Sequence, residues 1–353
     1  MVVVFHYVYL AVENGSPRFV NQLARLTALG WSGVDLFFVL SGFLIGGILL
    51  DARGSHNYFR VFYKRRTCRI FPLYFAFLAI AFILARFSSL QSMFEPRIPW
   101  QVCVTFSQNF WMAIHSVESM GILNPTWTLA VEEQFYLVIP ALIYFVRPQR
   151  LVSILASGIV LAPLIRLTLF LVNPQLKIAV FVLLPCRMDA LLLGVGAAYY
   201  LRQQKVWEIL CAHRRALWTV IELLTLVCAV VSVWVSPGDP PTFFARVIEF
   251  DCLDLLFVCI LLMSLVDEKL AAVLQVRWLR GLGNIAYGVY LLNLLVYWVV
   301  LILLGKRSNR GAVAAIVALI LTVAIARVSW AWFEKPLIRI GHKEGYERPA
   351  LQS

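Results

Sequence analysis

The sequence predicts an all-α polytopic membrane protein with about ten transmembrane helices and both termini cytoplasmic. Three observations carry that prediction. Hydrophobic residues make up 61% of the 353-residue chain and charged residues 14%, with a mean hydropathy of +0.81; a globule in water needs more polar surface than this. Apolar runs of about 20 residues recur along the chain, the length that crosses roughly 30 Å of hydrocarbon at 1.5 Å per residue. The Lys and Arg residues also alternate between successive connections, as the positive-inside rule requires.

Taken in order, the runs are 31–50, 70–87, 127–146, 151–172, 178–201, 216–236, 247–266, 283–304 and 311–333. Residues 98–115 are broken by polar side chains and read as an interfacial or re-entrant piece. Connections 51–69, 147–150, 202–215, 267–281 and 334–353 hold 19 Lys and Arg, and the alternate connections hold 8. The two sets alternate only if residues 1–12 also span and 98–115 does not. The loop with Lys306, Arg307 and Arg310 runs against the trend. Twelve residues reach only about 18 Å, so a shortened N-terminus is expected. Residues 1–340 read as one membrane-embedded domain and 341–353 as a short cytoplasmic tail.

The net charge of +12, from 31 Lys and Arg against 19 Asp and Glu, reads as a topology signal and not as a nucleic-acid footprint. The seven cysteines are odd in number and form no CxxC pair; they read as small buried hydrophobes, with no disulfide and no metal expected. No cleavable signal peptide is visible, and a first spanning helix can direct insertion.

Ionisable groups inside a bilayer are costly unless paired or wetted, so each is a functional candidate. His6 in "FHYVYLAV" lies about 9 Å from the external end of the first helix, and Asp35, with Ser41 beyond it, lies near the external end of the second. Glu132, Glu133 and Gln134 enter from outside between one and two turns deep. Arg187 and Asp189 lie near mid-membrane, and Tyr287, Tyr290 and Asn293 share one helical stripe. Together these residues make one polar layer. Plainer readings stand beside it. A lone histidine can be a packing hydrogen-bonder, Arg187 and Asp189 can pair to hold helices in register, and Tyr287 and Tyr290 can simply pack. Of adjacent Glu132 and Glu133, about 100° apart, only one faces a given cavity. Arg166 and Arg327 sit near helix ends and read as snorkelling.

Just before the third helix, "YFRVFYKRRTCRIFPLY" gathers Arg60, Lys64, Arg65, Arg66 and Arg69. Anionic lipid is one partner for such a cluster. Phosphates of a cytosolic donor are another, since Arg and Lys bind them by bidentate and point-charge contacts.

In this order, "GVDLFFVLSGFLI" (33–45), "RRTCRIFPLY" (65–74), "TWTLAVEEQFYLVIP" (126–140), "CRMDALLLG" (186–194), "GNIAYGVYLL" (283–292) and "FEKPL" (333–337) resemble the acyltransferase-3 family of membrane acyltransferases. The resemblance implies a bacterial inner-membrane enzyme moving an acyl group, usually acetyl, from cytosolic acyl-CoA to hydroxyls of glycans or other acceptors. The family's first helix carries a functional histidine, matched by His6. Its conserved arginine lies about three turns earlier, a position that would precede Met1. Asn293 stands where many relatives have histidine. Some relatives append an extracytoplasmic hydrolase-like domain; this chain is expected to do the whole transfer or to pass the acyl group to a separate protein.

The expected chemistry follows. Lys64, Arg65, Arg66 and Arg69 hold the phosphates of acyl-CoA, the donor substrate, with no permanently bound cofactor. His6 is the base for an acceptor hydroxyl, with Glu133 or Glu132 orienting it and Asp35, Ser41, Arg187, Asp189, Tyr290 and Asn293 supporting. An acyl-His route stays open. The expected acceptor is a cell-surface or lipid-linked glycan; membrane lipids are further partners, and a homo-oligomer stays open. The rival readings are a transporter of an acyl or glycan carrier and a catalytically impaired family member.

Overall fold

The structure, a computed structural model, describes residues 1–13, 24, 26–86, 98–117, 121–173, 176–234, 243–305 and 311–347. Every regular element among them is helical. Seven of these helices are long and apolar enough to cross a membrane: Leu29–Ala52, Tyr58–Leu84, Thr126–Phe145, Pro148–Val172, Lys177–Tyr200, Arg277–Leu304 and Gly311–Gly341. Each overlaps a run read from hydropathy. The described parts of the runs at 216–236 and 247–266 are also helical, within Arg214–Trp234 and Phe243–Val266, of 21 and 24 residues. The loop with Lys306, Arg307 and Arg310 lies outside the described residues.

In chain order the helices are α1 (Val2–Glu13), α2 (Gly33–Ala52), α3 (Tyr58–Leu84), α4 (Trp100–Val104), α5 (Gln108–Ile114), α6 (Thr126–Phe145), α7 (Pro148–Val172) and α8 (Lys177–Val182). They continue as α9 (Leu184–Tyr200), α10 (Gln204–Ala212), α11 (Arg214–Trp234), α12 (Phe243–Val266), α13 (Glu268–Leu274), α14 (Arg277–Leu304), α15 (Gly311–Ser329) and α16 (Lys335–Gly341). Local sequence explains several boundaries. Pro148 opens α7 and Pro185 sits in the first turn of α9, where a missing N–H is no loss and φ is already helical. Asp267 caps α13 by accepting the Leu270 N–H at 2.9 Å, the usual role of an N-cap carboxylate.

Two departures from the sequence reading have local causes. Helix α3 starts at Tyr58, a dozen residues before the apolar run, so the basic cluster is helical and not a loop. Lys and Arg lower hydropathy but are good helix formers. Residues 98–115 do form a broken piece, the short helices α4 and α5. Between them Phe106 has a φ of 52°, a left-handed conformation that costs a bulky residue energy. Its ring stacks on Tyr74 at 4.5 Å and on Phe71 at 5.4 Å between centroids, contacts that offset the strain.

The chain forms two compact units. The first comprises Met1–Trp31, Ser55–Ala130 and Gly281–Ser353; in it α1 packs on α15, and α16 on α3. The second comprises Ser32–Gly54 and Val131–Arg280; there α9 packs against both α2 and α7, and α12 against α2 and α11.

The α2–α9 contact depends on two glycines. A Cβ on Gly42 would stand 1.9 Å from the Leu191 carbonyl oxygen, and one on Gly194 would stand 2.2 Å from that of Val39. Small residues of this kind let helix backbones approach in lipid, where packing replaces the hydrophobic effect as the driving force. Gly42→Val is therefore expected to push α2 off α9 and cost at least about 3 kcal/mol. Gly196→Ala, on the same helix α9 but with open space around its Cβ, is expected to be neutral or to stabilise by about 0.5–1 kcal/mol. Thermal melting of the detergent-solubilised variants checks both.

Candidate active site

In the first unit, α1 brings His6 and Tyr7 to α14 and α15. His6 Nδ1 lies 3.0 Å from Asn293 Oδ1, and Asn293 Nδ2 donates to the backbone carbonyl of Tyr290 one turn earlier on α14. The Tyr7 hydroxyl donates to the backbone carbonyl of Asn293 at 3.0 Å and lies 2.7 Å from Thr322 Oγ on α15. Its ring stacks on Tyr297, with centroids 5.6 Å apart. Thr128 Oγ, at the start of α6, is 2.9 Å from the Tyr290 hydroxyl. His6 is 8% exposed and Asn293 fully buried, so water does not compete strongly for these bonds. A neutral imidazole held by one ring nitrogen has the other for chemistry.

The second unit holds the other members of the predicted layer. Glu132 Oε1 accepts from Ser41 and from Tyr136, each at 2.6 Å, and the two hydroxyls are 2.7 Å apart. Glu132 is buried and Glu133, the next residue round the helix, half-buried, as their 100° separation requires. Arg187 pairs with Asp35, tying α9 to α2, and its guanidinium lies over the Phe250 ring at 4.1 Å. Arg166 pairs with Asp189 at 2.7 Å and with Asp251, and donates to the Cys186 carbonyl at 2.6 Å. Asp254 is buried beside them at 2% exposure.

The basic cluster belongs to the first unit. On the first turns of α3, Arg60 pairs with Glu344 and Lys64 with the same carboxylate at 3.1 Å. Arg65 donates to the Glu344 carbonyl at 2.9 Å and lies 5.0 Å from the centroid of the Tyr346 ring. Asn57 donates to the Gly345 carbonyl at 3.0 Å and accepts from the Glu347 N–H at 3.0 Å. Cations at a helix N-terminus oppose the macrodipole, and Glu344 offsets that opposition. The Lys64 ammonium, helped by Arg60, holds the Glu344 carboxyl below the usual carboxylate range. Lys64 and Arg69 are exposed, Arg65 and Arg66 half-buried.

Within its unit, His6 Nδ1 meets Asn293, in the position for which the sequence nominated Glu133 or Glu132. Tyr290 and Asn293 join His6 as the stripe predicted, while Tyr287 donates to the Ile70 carbonyl at 2.9 Å, a helix-packing bond. Arg187 and Asp189 make the register-holding pairs that were their plainer reading. One reading is overturned. Arg166 does not snorkel; it is fully buried, because Asp189, Asp251 and the Cys186 carbonyl supply three inward acceptors. The sequence reading also passed over Tyr7, Thr128, Tyr136, Asp251, Asp254 and Thr322. Of these, Asp251 and Asp254 carried a usable signal, two acids at i and i+3 inside an apolar run.

A family described as an acyltransferase domain matches residues 1–330. The chain is 24% identical over 325 residues to the peptidoglycan O-acetyltransferase OatA of Listeria monocytogenes, covering 88% of this chain and 52% of that protein. It is 25% identical over 331 residues to the putative peptidoglycan O-acetyltransferase YrhL of Bacillus subtilis, covering 87% and 50%. Against the O-acetyltransferase OatA of Staphylococcus aureus the identity is 23% over 351 residues, covering 89% and 53%. The chain thus spans about half the length of these curated relatives. No solved structure matches it.

Proposed function

From a chain that belongs to the acyltransferase-3 family of membrane acyltransferases, we propose an enzyme that moves an acyl group, acetyl in the first instance, from acyl-CoA to a hydroxyl of a cell-surface or lipid-linked glycan. The observation that carries the reading is the buried His6–Asn293 pair. His6 Nε2 takes the proton of the acceptor hydroxyl as its oxygen attacks the thioester carbonyl. The C–S bond then breaks, an ester forms, and the imidazolium returns the proton to the departing thiolate, giving free CoA. A histidine suits this two-way traffic because its ordinary pKa is near neutrality. The similarity to peptidoglycan O-acetyltransferases supports acetyl as the group and a glycan as acceptor.

The proposed setting is a bacterial inner membrane crossed ten times, with both termini and the basic connections cytoplasmic; the alternation of Lys and Arg supports it. Lys64, Arg65, Arg66 and Arg69 then face the cytosol and hold the donor's phosphates. In the structure the neighbouring anion is Glu344, bound by Arg60 and Lys64, so a phosphate must compete with a carboxylate. Glu344→Gln is expected to tighten CoA binding by about two- to fivefold, since an exposed ion pair is worth little. Calorimetric titration with CoA checks this. The sign of the pH effect follows from the lowered carboxyl. The tail contact is fully present above the ordinary carboxylate value and is lost as pH falls through the lowered one.

The transfer itself is tested with membranes containing the chain, given labelled acetyl-CoA and a glycan acceptor. Labelled ester in the acceptor supports the proposal; consumption of acetyl-CoA with no labelled ester contradicts it.

A further inference from the structure

We infer that Asn293 selects the tautomer of His6 and so decides which ring nitrogen does the chemistry; the inference deepens the proposed base role of His6 and rests on it. Its geometric part stands on hydrogen-bond polarity alone. The side-chain amide of Asn293 has two ends, one that only donates and one that only accepts. The end facing Tyr290 meets a backbone carbonyl oxygen, which only accepts, so that end is the NH2 group. The other end, Oδ1, is therefore the one 3.0 Å from His6 Nδ1. An acceptor there requires a proton on Nδ1, which leaves the lone pair on Nε2. Flipping the amide would set two oxygens against each other at Tyr290, and burial of Asn293 leaves no water to relieve them.

The frame around the pair keeps it from rotating away. Tyr7, the neighbour of His6 on α1, donates to the backbone carbonyl of Asn293 itself and meets Thr322 on α15. Three helices are thus joined at the residue that holds the imidazole. Asn293 is a positioning residue: when Nε2 takes a proton, Nδ1–H keeps its acceptor and the cation forms without rearrangement. This is the role that an orienting group plays in other base pairs of this kind.

The test is nitrogen NMR of the full chain, ¹⁵N-labelled at histidine and reconstituted in lipid, with the His6 signals assigned from the His6→Ala spectrum. The expected result is His6 protonated at Nδ1 in the unaltered chain, loss of that preference in Asn293→Leu, and its return in Asn293→Asp, whose carboxylate is again an acceptor. Transfer is expected to follow: kcat falls by about 10²-fold or more in Asn293→Leu, with KM for acetyl-CoA little changed, and recovers in part in Asn293→Asp. His6 protonated at Nε2 in the unaltered chain, or a tautomer that ignores Asn293→Leu, overturns the inference. Should the tautomer obey Asn293 while His6→Ala still transfers, the positioning stands and the catalytic reading of His6 falls.

Discussion

Arg166→Ala is expected to unfold the second unit. Arg166 joins α7 to Asp189 on α9 and Asp251 on α12, and donates to the Cys186 carbonyl. Truncation strands the buried Asp189 carboxylate with no cation in contact, where an unpaired charge is costly; Asp251, with its side chain 37% exposed, loses far less. Breaking a buried pair by removing one partner typically costs about 3–5 kcal/mol, a large fraction of the stability of an ordinary domain. The expected readout is loss of the monodisperse detergent-solubilised protein. Arg166→Lys should recover only part of the stability, because one ammonium on a flexible stem does not reproduce the planar fork that serves three acceptors. A full-stability alanine variant would show that the pairs do not hold α7, α9 and α12 together.

His6→Ala is expected to lower acyl transfer by about 10²- to 10⁴-fold, the usual contribution of a positioned acid–base group, while the chain stays folded in the membrane. Truncation leaves Asn293 Oδ1 without its partner, a penalty of about 1–3 kcal/mol. The neighbouring bond from Tyr7 to the Asn293 carbonyl remains, and it keeps α1 attached to α14. Transfer of labelled acetyl, normalised to inserted protein, separates the two effects: catalysis should fall far more than the amount of folded protein.

Much of the helical plan was legible because hydropathy is a local quantity. Residues 98–115 read as broken, and they are broken at Phe106. The start of α3 was not legible from hydropathy, since Arg60 to Arg69 lower the score of residues that nevertheless continue the helix to Tyr58. Pairings were hidden for a different reason. His6 and Asn293 are separated by 287 residues, and nothing local in "FHYVYLAV" names its partner. The stripe of Tyr290 and Asn293 could be drawn on one helix, but which helix it met needed the fold. Arg166 shows the limit most clearly. Six residues from the end of α7, about 9 Å along the axis, it was within reach of the interface, and only the placement of Asp189 and Asp251 shows why it turns inward.

The measurement that tests the central claim most directly is alkali-labile acetate on envelope glycans of bacterial cells expressing this chain, compared with cells lacking it and with cells expressing His6→Ala, membrane insertion being verified for each. The account predicts ester-linked acetate that appears with the chain and is absent in the variant. Acetate at the same level in cells with well-inserted His6→Ala, or no acetate above background with well-inserted unaltered chain, would contradict it.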